Sequence, residues 1–402
     1  MTISLTRRGA LLGLGSAVSL GRASLALAAA PTEKRFVVVL LRGALDGLSA
    51  VAPYGDPDFA GVRGELATLK PGQPDGLLDL GGFYGLHPSL AGLHGMYAAN
   101  EMLVLHAVAG ATRSRSHFEA QDNLEYGSPE HLNGARLTSG WLNRVVTAMS
   151  PRPQAGPQGE MAMAVGAALP LLLRGPAPVG TWLPATAQHP AAGLYAQIAA
   201  MSQPDPVIGK AISQGLRDRG FSDAALAGAE APKNRYAFAA LAEAAGKLLA
   251  DPKGPRVAAL ELGGWDTHVN QTARLAGVLR ELDGGLVALK TGLGAAWGQT
   301  AVLVMTEFGR TVRVNGTRGT DHGTATVAFA LGGAIGGGKV RATWPGLSTP
   351  KLLEARDLAP TADLRSLAKS VLASHLGLSP AAIASVFPGS TEIAAMGGIV
   401  RV

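Results

Sequence analysis

The 402-residue chain contains no cysteine, which excludes disulfides and thiolate metal sites and leaves Asp, Glu, His, Asn and Ser as the metal-binding side chains. The formal charge of +6 falls to +3 without residues 1–28, which hold Arg7, Arg8, Arg22 and no acid. That charge is too weak and too evenly spread for nucleic acid, and no later stretch is long and apolar enough to cross a membrane.

The N-terminus reads as a targeting segment. Thr6-Arg7-Arg8-Gly9 opens it, a mildly apolar core runs from Ala10 to Leu20, and Ala26-Leu27-Ala28 forms an A-x-A cleavage site. The apolar run is too short for a stable membrane anchor. Paired arginines before a weakly hydrophobic core point to the twin-arginine route, with the twin-arginine translocase as partner during export and a periplasmic or secreted destination. Substrates of that route are exported folded, often after a metal or cofactor has been inserted. Residues 29–402 then form the folded part, a length suited to one large α/β domain.

In chain order, Phe36 to Leu41 is the first strand, apolar throughout and therefore buried on both faces. Similar runs are Leu103 to Val108, Val257 to Leu262, Ala301 to Met305 and Thr326 to Leu331. Helical patterns fall between and after them, at Ser116 to Tyr126, Tyr236 to Ala250, Ala273 to Leu289 and Leu364 to Leu376. This alternation predicts a mostly parallel sheet with helices on both faces. The Ala-, Pro- and Gly-rich stretch at about 151–232 reads as an insertion or cap, and Gly332 to Gly338 as a turn between strands.

Polar residues concentrate in five segments at strand ends or helix starts, where open α/β sheets bind ligands. Asp46, in Arg42-Gly43-Ala44-Leu45-Asp46-Gly47, follows the first strand and is placed to ligate a cation. In Thr112-Arg113-Ser114-Arg115-Ser116-His117, either Ser114 or Ser116 can cap a helix whose N-terminus favours an anion, and Arg113 and Arg115 add fixed donors. Asp266 and His268, in Gly264-Trp265-Asp266-Thr267-His268, can reach one metal from the same side, with Trp265 as a wall. Glu307 and Arg310 follow the Ala301 to Met305 run. Asp321 and His322 form a compact ligand pair between Gly319 and Gly323. Several carboxylates, two histidines, a serine and three arginines thus fall at successive strand ends, which predicts a shared metal site.

Together, Leu40 to Leu48, Ser114-Arg115-Ser116-His117-Phe118, Gly264 to His268, Thr306-Glu307-Phe308-Gly309-Arg310-Thr311 and Gly319 to Gly323 resemble the exported bacterial family called domain of unknown function 1501. The resemblance runs from about Lys34 to Pro388 and is weakest over Pro151 to Pro232. It implies the alkaline phosphatase and sulfatase superfamily, and hence an alkaline-phosphatase-like three-layer sandwich. In that superfamily's order, Asp46 matches the first Asp and Ser116 the nucleophile, with Ser114 as the alternative. Asp266 and His268 match an Asp with a nearby His. Asp321-His322-Gly323 resembles the Asp-His-Gly motif. An alignment with Glu307 as ligand, Phe308 in place of a histidine and His322 as the final His fits the strand order better.

The resemblance implies one or two divalent ions. Asp46, Ser116 and Glu307 are an all-oxygen set suited to Mg²⁺, Mn²⁺ or Ca²⁺. Asp266, His268 and His322 suit Zn²⁺, with Asp321 as a further candidate ligand. The implied activity is hydrolysis or transfer of a small phosphate or sulfate ester. Ser116 would attack, and Arg113, Arg115 or Arg310 would hold the non-bridging oxygens. The alternative is a non-catalytic, metal-binding assembly or binding protein, and the family also suggests a second exported protein as partner. His117 reads as an outer residue beside Ser116.

Overall fold

The computed structural model describes residues 32–128, 131–132, 135–149, 161–166, 168–183 and 237–401. The targeting segment lies outside these residues, as does most of 151–232. The strands are β1 (Arg35–Leu41), β2 (Val51–Ala52), β3 (Leu78–Asp79), β4 (Gly85–Leu86), β5 (Met102–Ala109), β6 (His131–Leu132) and β7 (Ala135–Arg136). They continue with β8 (Ala162–Val165), β9 (Gly180–Trp182), β10 (Val257–Leu262), β11 (Thr300–Thr306), β12 (Thr326–Leu331), β13 (Lys339–Arg341) and β14 (Ala362–Asp363). The helices are α1 (Gly47–Ala50), α2 (Phe59–Arg63), α3 (Ala91–Ala98), α4 (His117–Tyr126), α5 (Trp141–Met149), α6 (Phe238–Ala250), α7 (Gln271–Leu293), α8 (Leu364–Ser374) and α9 (Pro380–Val386).

The central sheet has the order β13-β5-β12-β11-β1-β10-β8-β9, with β14 also pairing with β5. β1 sits between β10 and β11, parallel to both, and every one of its residues is buried. Alternate residues of β1 serve opposite layers. Val37, Val39 and Leu41 pack with Leu248 of α6 and Leu279, Leu282 and Leu286 of α7. Phe36, Val38 and Leu40 pack with Trp141 and Val145 of α5, Leu367 and Val371 of α8, and Val386 of α9. A strand buried on both faces has no polar face to show, which is why its sequence is a continuous apolar run. The α/β three-layer sandwich expected from the sequence is thus the observed architecture, and the five apolar runs are β1, β5, β10, β11 and β12. No helix among the described residues is long and apolar enough to cross a membrane.

Two features add detail to the sequence reading. β12 pairs antiparallel with both β11 and β5, while the other pairings of the central sheet are parallel. No crossover helix intervenes between β11 and β12, so the chain returns beside β11 in the opposite sense. The residues preceding β12 therefore share an edge with those following β1, β10 and β11. Within the stretch read as a cap, Ala162–Val165 and Gly180–Trp182 are parallel strands of the central sheet.

Behind that edge lies a buried polar knot. Asp46, expected as a metal ligand, caps α1 by accepting from the Leu48 and Ser49 amides at 3.1 and 3.3 Å. Its other oxygen accepts from Ser49 Oγ at 2.9 Å, from the Arg63 guanidinium and from the Gln271 amide. Arg63 and Asp46 are both buried, so a fixed protein cation stands beside this carboxylate and its acceptor positions are filled. Burial works to raise the Asp46 pKa, but the charge and hydrogen bond of Arg63 outweigh it and hold the carboxyl below its ordinary value.

Removing one partner of a buried pair leaves an uncompensated charge. Arg63→Met should therefore lower unfolding stability by about 3–5 kcal/mol in urea titrations, and adding Asp46→Asn should recover part of the loss. Because the folded-state pKa of Asp46 is depressed, its stabilising contribution is present above about pH 4 and is lost as pH falls through the folded value. A difference in stability between wild type and the double variant that is unchanged from neutral to strongly acidic pH would contradict this.

Candidate metal centre

Three loops and one helix start meet at the strand edge. The turn after β1 holds Gly43, whose φ of +121° and contact with the next loop both require glycine: a Cβ there would lie 2.8 Å from the Asp266 amide nitrogen. The segments around Arg310 and His322 extend the β11–β12 pairing as a ribbon. Thr311 N donates to Asp321 O at 2.9 Å and Gly323 N to Gly309 O at 2.8 Å. Gly319 packs this ribbon on the β10 loop, since a Cβ at that position would meet the His268 carbonyl oxygen at 2.2 Å. Trp265, read from sequence as a wall, is instead fully buried in the core beneath, with Nε1 donating to Leu262 O at 2.9 Å.

Each of three histidines is fixed through Nδ1 to a group that can only accept. His117 Nδ1 donates to Glu307 Oε1 at 2.8 Å, His322 Nδ1 to the Arg115 carbonyl at 2.8 Å, and His268 Nδ1 to Asp321 Oδ1 at 3.2 Å. In a neutral imidazole this leaves the lone pair on Nε2. All three Nε2 atoms turn toward Asp266. His268 Nε2 lies 2.9 Å and His322 Nε2 3.2 Å from Oδ1, and His117 Nε2 lies 3.6 Å from Oδ2. The Nε2 atoms of His268 and His322 are 3.1 Å apart. His117 Nε2 is buried and has no hydrogen-bond partner.

Lone pairs that converge on a carboxylate repel one another unless a proton or cation stands between them. His117, Asp266 and His322 form a candidate metal-binding group, with ligand atoms within 4.8 Å of one another, and His268 borders it. The donors fit a borderline divalent ion. Two ligands each ~2.0–2.1 Å from one tetrahedral zinc lie roughly 3.3 Å apart, in the middle of the observed spacings.

Surrounding groups set the protonation states. The Glu307 hydrogen bond raises the His117 pKa, whereas burial lowers that of His322. Burial would raise Asp266, but Arg310, through its hydrogen bond and charge, holds it below its ordinary value. Glu307 is likewise held low: burial is outweighed by bonds from His117 and Gln121. The Asn315 hydrogen bond lowers Asp321.

The other residues singled out in the sequence occupy varied places. Glu307 is buried, and its oxygens accept from the Gly43 amide, His117, Gln121 and the Thr306 hydroxyl, so it orients the His117 ring. Asp321 likewise orients His268 and accepts from Asn315. Arg310 is buried against Asp266 Oδ1 at 2.6 Å and against Thr320, so it does not reach out to a substrate. Arg115 pairs with Asp357 at 2.6 Å and Glu354 at 2.8 Å, which fixes the loop whose carbonyl holds His322. Arg113 donates only to the backbone oxygens of Gly110 and Thr112 among the described residues. Ser116 is the exposed N-cap residue of α4, but its side chain makes no capping bond. Ser114 Oγ accepts from the Ser116 amide and donates to Glu119.

From sequence, His117 reads as an outer residue beside Ser116, whereas the structure turns it toward Asp266 with His322. Its position just inside a helix start, after a capping serine, was the available signal. Nothing local marked Arg63, Gln271 or Asp357, whose roles arise only from distant partners.

Equilibrium dialysis of the full chain against Zn²⁺ should give one tight site, with His117→Ala weakening it severely and Glu307→Gln by about 10–100-fold. Asp46→Asn should leave zinc affinity within about threefold of wild type, as expected for a group outside the ligand set. Affinity should fall with falling pH from above the ordinary imidazole value of about 6.5, because the Glu307 bond raises the His117 pKa and protons then compete for its Nε2.

No curated protein matches the sequence. Among solved structures, the C-terminal periplasmic domain of EcEptC from Escherichia coli, in complex with Zn, is similar at 9% identity and a TM-score of 0.35, over 77% of this chain and 76% of that one. A TAB5 alkaline phosphatase mutant with Mg bound in the M3 site is similar at 10% identity and a TM-score of 0.33, over 77% of this chain and 92% of that one. The family model described as "Protein of unknown function (DUF1501)" matches residues 112–387, and the chain belongs to that family.

Proposed function

We propose that the protein is an exported, metal-dependent hydrolase or transferase that acts on a phosphate or sulfate ester, with Ser116 as nucleophile. The observation that supports this most is the convergence of three anchored imidazoles on Asp266, one of them, His117, following an exposed serine at a helix N-terminus. A divalent ion held by His117, His268, His322 and Asp266 would supply Lewis-acid charge stabilisation.

The rest is the work of the chain. The first turn of α4 presents amide donors and a partial positive charge toward an anion. Ser116 Oγ gives up its proton to solvent as it forms the bond to phosphorus or sulfur, the ester oxygen departs with its alkyl or aryl group and takes up a proton, and water then releases the inorganic anion while a proton returns to the serine oxygen. Arg113, the one of the three expected arginines without a carboxylate partner among the described residues, lies on the loop leading to Ser116 and would meet a non-bridging oxygen. Export rests on the twin-arginine and A-x-A pattern of residues 6–28.

A binding protein without turnover is the second reading. It is favoured by the Arg63–Asp46 pair, which leaves one candidate cluster among the described residues, and by Phe308, which stacks on His117 with ring centroids 4.9 Å apart.

Metal-loaded protein should hydrolyse at least one of an aryl phosphate, a phosphodiester and an aryl sulfate, and Ser116→Ala should reduce kcat by about three orders of magnitude or more. Equal rates in the two proteins remove Ser116 from the role. Stoichiometric metal with no turnover on any of the three supports the binding reading.

A further inference from the structure

A cavity of about 530 Å³ lies apart from the metal group, and none of His117, Asp266, His268 or His322 lines it. Its volume falls within the ~300–1,000 Å³ usual for small-ligand sites. Ser49 and Gln271 form buried polar lining, and their side chains are already bonded to Asp46. That part of the wall is therefore set before any ligand arrives. Leu66, Leu69 and Leu275 add apolar surface, and Leu69 is 54% exposed.

Three lining groups hold polar atoms ready for a ligand. Arg280 and Asp75 both line the cavity, and neither has an ion-pair partner among the described residues. Glu65, the other lining acid, is paired with Arg318 at 3.0 Å. His87 Nδ1 accepts from the Ser89 amide at 3.1 Å, which puts the proton of the neutral ring on Nε2. Burial and the nearby Arg280 charge lower the His87 pKa to about 4, so the ring is a neutral donor at physiological pH. The lining thus carries one unneutralised charge of each sign, a donor near the positive one, and apolar surface.

We propose that this cavity binds a small zwitterion with an apolar body, of amino-acid or dipeptide type. The carboxylate meets Arg280 and His87, the ammonium group meets Asp75, and an aliphatic side chain covers the leucines. The ground is charge complementarity. A simple anion leaves Asp75 unmatched and a simple amine leaves Arg280 unmatched, whereas a ligand with both ends satisfies both. This site does not depend on the hydrolase reading of the metal group.

The full-length protein is titrated calorimetrically with leucine and leucyl-leucine, each beside its C-terminal amide and its N-acetyl derivative. At least one zwitterion should bind, and its capped forms should bind about tenfold more weakly. Arg280→Met should weaken the zwitterion about tenfold and leave the amide unchanged. Asp75→Asn should weaken the zwitterion similarly and leave the N-acetyl form unchanged. His117→Ala should alter none of these affinities. Failure of both zwitterions to bind, or capped forms that bind equally well, overturns the assignment. So does binding lost in His117→Ala, which puts the ligand on the metal group. Arg280 and Asp75 are exposed, so neither variant removes a packed core contact.

Discussion

The site depends on three Nδ1–H bonds. Glu307, Asp321 and the Arg115 carbonyl each fix one ring, and the geometry leaves the Nε2 lone pairs facing Asp266. The anchors are themselves anchored. Glu307 is gripped by Gly43, Gln121 and Thr306, and Asp321 by Asn315. The Arg115 segment is held by the fully buried Asp357, which also accepts from Thr324. Outer groups of this kind set ring orientation and basicity as much as the ligands do.

A second layer ties this site to the core. Asp46 binds Gln271, Gln271 accepts from Thr320, Thr320 meets Arg310, and Arg310 holds Asp266. All but Asp266 are buried, so each polar group has to find its partner inside the protein. Arg63 supplies the positive charge at the far end of this chain of bonds. The consequence, among the described residues, is one cluster of imidazoles at the surface and a carboxylate behind it that is neutralised by the protein itself.

Topology explains why these groups meet. In a fully parallel sheet the Asp321-His322 pair, which precedes a strand, would fall at the opposite edge from Asp266 and Glu307, which follow strands. The reversed direction of β12 brings it to the same edge, and the ribbon between Gly309 and Thr324 holds it there. The order of ligands along the chain is thus decoupled from their order in space.

The apolar runs of β1, β5, β10, β11 and β12 were legible because burial on two faces leaves an unmistakable pattern in local sequence. Asp266, His268 and His322 were legible for a related reason: glycines flank short polar segments at strand ends. The sequence alone also excluded thiolate ligands, since the chain has no cysteine. What it did not contain was the choice among carboxylates. Asp46 and Glu307 look like ligands locally, yet one faces Arg63 and the other faces His117, and those partners are set by packing across 17 and 190 residues of chain. The inclusion of His117 and the direction of β12 were likewise decided in three dimensions, because lone-pair direction and strand sense depend on long-range contacts that no local pattern records.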